Sequence, residues 1–214
     1  MSGDRLNGDA AATSREGFVE LESHTGRNGD RDTPSQPATS DEIVSFWQEA
    51  GRPLWFAKDA TFDRCFRQRF LLAHEAAARG EYDGWLATPP GALGLILLLD
   101  QFPRNAFRGT PQMYATDALA RATTDLAIAV GHDLKISREL RPFVYMPLCH
   151  SEDIADQERA VALIRHIDEA YAKPAMRHHD IIKRFGRFPH RNPILGRTMT
   201  AEEQDFLDRG GFAG

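Results

Sequence analysis

From Ser40 onward the apolar residues recur at helical spacing, and capping residues, prolines and glycines mark where each helix starts and stops. Ser40 precedes Asp41-Glu42-Ile43-Val44, an N-cap with acids in the first turn. Asp59 opens a longer helix with Phe62, Phe66, Phe70 and Ala73 on one face, and Gly80 ends it. Pro89 or Pro90 starts a third, in which Leu93 and Leu95 to Leu99 leave no polar side. A helix apolar all round is buried all round, so this one is placed at the centre. Thr110-Pro111 reads as an N-cap with Pro at the first helical position, starting a helix to about Val130 that Gly131 stops. Ser137 opens a shorter helix ended by Pro147. Ser151-Glu152-Asp153 caps another reaching about Tyr171, and Pro174 starts one ending near Phe185-Gly186. Thr200-Ala201-Glu202-Glu203 is a capping box before Phe206-Leu207.

No run alternates apolar and polar residues for long enough to be a strand, so the expected fold class is all-α. A single compact bundle of about eight helices is expected over residues 40–214. No 34-residue repeat is visible, so any helical-repeat stacking would be structural only. Residues 1–39 differ in kind. They hold seven acids and four arginines among Gly, Ser, Thr, Asn and Asp, with few large apolar residues. Such a segment buries too little surface to offset its chain entropy and is expected to be a disordered tail.

The 214 residues are 42% hydrophobic, ordinary for a globular core. The longest apolar run, Leu93 to Leu99, is far short of the roughly 20 residues of a membrane span. No secretory signal is recognisable. With only Cys65 and Cys149, the expectation is a cytoplasmic protein with free thiols. Net charge is −5, but residues 173–197 carry seven basic residues against the single acid Asp180. The acid-rich stretch just upstream (Glu152, Asp153, Asp156, Glu158, Asp168, Glu169) can neutralise that run, which weakens a nucleic-acid reading.

Candidate chemistry lies at the predicted helix ends. Phe-Pro followed by Arg-Asn occurs twice, as Phe102-Pro103-Arg104-Asn105 and, with one residue inserted, as Phe188-Pro189-His190-Arg191-Asn192. Proline disfavours helical geometry in the preceding residue, so a sharp stop is expected at each Phe. The first copy follows Asp100, and Asp100 with Arg104 reads either as part of an anion site or as a pair that satisfies itself. His150 is placed just before an N-cap, where helix N–H groups favour anions, and is an acid/base candidate. Glu152 follows it. Cys149 reads as a buried inert thiol. His178 shares a face with Ala175, Ile182 and Phe185 and reads as a core histidine, while Asp180 and Arg184 are spaced to pair. Gly186 turns the chain outward. Arg187, His190, Arg191 and Arg197 then fall in one short excursion, and arginine's planar fork suits carboxylate or phosphate.

Three of these motifs carry a resemblance. Leu97-Leu98-Leu99-Asp100-Gln101-Phe102-Pro103-Arg104-Asn105, then Tyr145-Met146-Pro147 with His150-Ser151-Glu152-Asp153, then Arg184 to Asn192 with Leu195-Gly196-Arg197 resemble the signatures of bacterial domain-of-unknown-function family 924. The resemblance runs from about Ser40 to Phe212. It implies a TPR-like all-helical fold and brings no activity and no catalytic residues. Where the family usually shows His-Arg-Asp, this chain has His178-His179-Asp180.

The leading expectation is a site for a small anionic ligand bearing phosphate or carboxylate. Asp100, Arg104, Glu152, Arg184, Arg187, Arg191 and Arg197 are its expected binding residues, with His150 and His190 as acid/base groups should the site be enzymatic. The alternative is a TPR-like interaction scaffold with a protein partner, in which the arginine and carboxylate motifs are structural. A metal site is disfavoured, because no His or Glu pair has intrahelical ligand spacing and the arginines would repel a cation. No cofactor, nucleic-acid or membrane partner is expected.

Overall fold

The computed structural model describes residues 38–167 and 169–214. The expected tail lies outside the described residues except for its last two. These belong to the helical unit, since Ala38 packs on the core and the Thr39 side chain accepts from the Glu42 N–H. Thr39, rather than Ser40, is therefore the first N-cap, and the Glu42 side chain closes a capping box with it.

Among the described residues nine α-helices and several single turns follow, with no strand. The helices are α1 (Ser40–Trp55), α2 (Ala60–Ala78), α3 (Pro89–Ile96), α4 (Phe102–Ala106), α5 (Asp117–Ala129), α6 (Arg141–Cys149), α7 (Ile154–Ile164), α8 (Glu169–Phe185) and α9 (Ala201–Asp208). Helix α3 sits at the centre. Residues 91–99 are all buried, and α1, α5 and α6 pack around it. Gly91 and Gly94 permit that closeness: a Cβ on Gly91 would lie 2.1 Å from the Trp85 carbonyl oxygen, and one on Gly94 3.0 Å from Ser40. On the other side of α1, Phe46 stacks on Phe62 and Phe66 at 5.5 and 5.1 Å, so the aromatic face read from α2 forms the core's thick end.

The helix through α3 does not stop at Phe102. A single π turn, Leu97–Gln101, carries it into α4, and the Phe102 N–H bonds to the Leu97 carbonyl five residues back. Proline at 103 leaves carbonyls of the preceding turn without a donor. Two distant side chains supply donors instead. His74 Nδ1 donates to the Leu98 oxygen at 2.9 Å, and the Thr116 hydroxyl donates to the Leu99 oxygen at 2.6 Å. Helix α8 ends at Phe185, before the left-handed Gly186, so Phe188 does not stop it; Phe188 is extended backbone before a 3-10 turn at Pro189–Arg191.

Several other boundaries differ from expectation for equally local reasons. The Thr110 hydroxyl donates back to the Phe107 carbonyl and caps nothing, so Pro111–Tyr114 is a 3-10 turn and α5 begins only at Asp117. Ser137 leads a turn rather than α6, and Pro147 lies inside the last turn of α6, where it costs a single hydrogen bond. Asp153 is the N-cap of α7, which ends at Ile164; Arg138 takes up the Ile167 carbonyl just beyond. Helix α8 runs through Pro174 instead of starting there. Among the described residues no helix is long and apolar enough to cross a membrane.

Candidate functional site

Asp100 lies in the π turn and is fully buried, with Arg104 four residues on along the same side of the helix. A buried carboxylate must be matched by donors, and Asp100 has three. Gln101 Nε2 donates to Oδ2 at 2.6 Å, His150 Nδ1 donates to Oδ1 at 2.8 Å, and Arg104 Nη1 lies 3.1 Å from Oδ1. Burial alone would raise the Asp100 pKa. The Arg104 charge and the hydrogen bonds from His150 and Gln101 outweigh burial and hold it below its ordinary value. The carboxylate fixes the His150 tautomer: Nδ1 carries the proton, so Nε2 carries the lone pair. Burial and Arg104 lower the His150 pKa, which keeps the ring neutral near pH 7.

His150 is the C-cap of α6 and not a lead-in to an N-cap, so helix N–H groups do not face it as expected. Its own carbonyl instead accepts from Arg191 Nη2 at 2.9 Å. Arg191 is thereby held over the first motif, between the rings of Tyr114 and Phe188 at 4.6 and 4.5 Å. Asp117, the first residue of α5, completes the link. Arg104 Nη1 lies 2.9 Å from its Oδ1, and Arg191 Nη1 donates to its Oδ2 at 3.4 Å. The two Phe-Pro motifs thus meet.

A cavity of about 210 Å³ opens where they meet. Lys58, Arg104, Arg108 and Arg191 contribute its cations, and His150, His178 and His190 its imidazoles. Among the described residues, no Asp or Glu lines it. Trp55, Phe56, Met113, Tyr114, Met146, Phe188 and Phe212 supply apolar wall. Arg104 Nη2 and Arg191 Nε are buried donors without a hydrogen-bond partner; His190 Nδ1 and Asp117 Oδ1 make none either, Oδ1 meeting Arg104 only as an ion pair. Burial, reinforced by His150 and Arg191, pushes His178 down to about 3; burial and Arg191 push His190 down to about 4. Both rings are neutral near pH 7.

Of the residues singled out in the sequence, Arg104, His150, His190 and Arg191 line this cavity. Asp100 stands behind them, fully buried. Glu152 and Arg197 pair at 2.9 Å in a neighbouring, more open cleft that shares Tyr114, His150 and Arg191 as its wall. Glu152 also accepts from the Phe188 N–H at 2.9 Å, pinning the second Phe-Pro turn. Arg184 and Arg187 lie apart from both. Arg187 makes a two-pronged pair with Glu203 at 2.6 and 2.8 Å, and Arg184 bonds Glu202 at 2.9 Å instead of Asp180. Cys149 is buried, with its thiol pushed up to about 12 by burial and the Asp100 charge.

Sequence reasoning missed Lys58, Tyr114 and Asp117, and it noted Gln101, Arg108 and His178 without placing them among the site residues. The His178 face was read correctly as inward. It packs on Phe188 and Phe212 at 5.4 and 4.7 Å and meets the cavity rather than solid core.

A model of a family described as "Bacterial protein of unknown function (DUF924)" matches residues 43–211. A solved structure, that of the protein of unknown function ATU0120 from Agrobacterium tumefaciens, is 54% identical, with a TM-score of 0.79 over 80% of this chain and 97% of that one. No curated protein matches. With the matched span covering the three motifs, the chain belongs to the DUF924 family.

Proposed function

We propose that the protein binds a small anionic ligand, bearing a carboxylate or phosphate, in the cavity between the two Phe-Pro motifs. One observation carries this reading: the wall presents four cations and three imidazoles with no Asp or Glu side chain among the described residues, while Asp100 and Asp117 stand behind the arginines. Buried arginines held rigidly by carboxylates are preorganised donors, so little ordering is left for the ligand to drive. His150, with Asp100 on Nδ1 and a lone pair on Nε2, is the group best suited to move a proton there, and His190 is the second.

The competing reading is a TPR-like interaction scaffold in which the arginine motifs are purely structural. It is favoured at Arg184, Arg187 and Arg197, each of which holds a carboxylate of the chain. It does not account for the unpartnered donors on Arg104 and Arg191.

Native mass spectrometry of the purified protein, set beside its denatured mass, tests the proposal together with titration of Arg191→Ala. An added mass lost on denaturation, and anion binding abolished in a folded Arg191→Ala, are the expected results. Unchanged anion affinity in that folded variant overturns the proposal.

A further inference from the structure

Resting on that reading, we infer that the ligand is a monocarboxylate with a flat apolar body, of about the size of benzoate, rather than a phosphate monoester. Charge and shape point the same way.

The charge of the site is nearly closed within the fold. Arg104 is matched by Asp100, Arg191 by Asp117, and Arg108 by Asp63 at 2.8 Å. Lys58 forms no ion pair among the described residues and remains the surplus cation at the mouth. The three imidazoles add nothing, being neutral near pH 7. Among the side chains that line the cavity and their ion-pair partners, one positive charge is therefore left over. A carboxylate cancels it, whereas a dianionic phosphate would leave an uncompensated negative charge beside buried carboxylates, which is costly away from bulk water.

The body of the ligand is set by the wall. Trp55, Phe56, Tyr114, Met146, Phe188 and Phe212 line the space with aromatic and thioether surface, which packs well on a planar apolar group. The cavity is about 210 Å³. An apolar cavity of roughly 150 Å³ takes up benzene, so the space here suits a ring with one small charged substituent. A dinucleotide or a long acyl chain would not fit.

Calorimetric titration of the full chain with sodium benzoate, sodium acetate and phenyl phosphate tests this, at about pH 8 where a phosphate monoester carries two charges. Benzoate is expected to bind saturably, with acetate weaker by about tenfold or more because it forgoes the ring contacts. Phenyl phosphate is expected to bind more weakly than benzoate. Lys58→Gln, at an exposed position that leaves the core untouched, should weaken benzoate by about threefold or more. Phe212→Ala should narrow the gap between benzoate and acetate. Acetate equal to benzoate, or phenyl phosphate tighter than both, overturns the inference while leaving an anion site in place. No binding of any of the three overturns the anion site and the inference together.

Discussion

Arg104 and Arg191, one from each Phe-Pro motif, hold opposite oxygens of the same carboxylate, Oδ1 and Oδ2 of Asp117. That shared partner joins a central helix to a loop near the C-terminal end of the chain, and it aligns both guanidiniums along one side of the cavity. Removing its charge separates the structural role from the binding role. Asp117→Asn should lower stability by about 1–2 kcal/mol, less than a fully buried pair because Asp117 is 23% exposed. In the same variant benzoate should bind more tightly, since the arginines lose their internal anion. Urea denaturation and calorimetry read the two effects. Loss of both stability and affinity would assign Asp117 a purely architectural role.

The π turn gives a second test. The Leu99 carbonyl depends on the Thr116 hydroxyl because Pro103 supplies no N–H. Thr116→Val keeps the shape and removes the donor, and leaving a buried carbonyl unsatisfied should cost about 1–3 kcal/mol. Chemical denaturation measures this. A neutral result would mean that the turn does not need its external donor.

The crossing of α3 behind the site is a third. Gly91→Ala would place a methyl group 2.1 Å from the Trp85 carbonyl oxygen, a backbone atom that cannot simply rotate away. Destabilisation of about 3 kcal/mol or more is expected, as for overpacking that moves backbone. A thermal midpoint within a degree or two of wild type would contradict the close approach.

Stability should also depend on pH in a window set by the histidines. His178 and His190, pushed down to about 3 and 4, stay neutral when folded but take up a proton near pH 6.5 when unfolded. The unfolded chain therefore binds more protons as pH falls below about 6.5, and stability declines from there toward pH 4. The groups facing these rings are Arg191, His150, Lys58 and Glu152, and the three bases oppose protonation. Asp100 and Glu203, both held below their ordinary values, add their loss only at lower pH. Denaturation midpoints measured between about pH 7 and pH 5 should fall, and His190→Gln should flatten the slope. A flat wild-type profile over that range would refute the burial of neutral imidazoles.

What was legible in the sequence was local. Asp59 as a cap, the Phe62, Phe66 and Phe70 face, the Thr200 capping box and the all-apolar helix around Leu93 each depend on residues a few positions apart. Helix ends decided by distant partners were not. Phe102-Pro103 reads as a stop until His74 and Thr116 arrive to bond the stranded carbonyls. The cavity was half legible for the same reason. Arg104, His150, His190 and Arg191 declare themselves by type and motif, whereas Asp117 and His178 matter only for what folding brings against them. Arg187 carries the same signal as Arg191 in sequence, yet Glu203 takes both of its prongs.

The most direct test of the central claim is an NMR titration that follows the imidazole signals of the full chain as sodium benzoate is added. The account predicts saturable shifts of His150, His178 and His190 at one common affinity, with His166 and His179 unmoved. Saturable binding that leaves those three rings in place, or no saturable change at all, would contradict an anion site between the two Phe-Pro motifs.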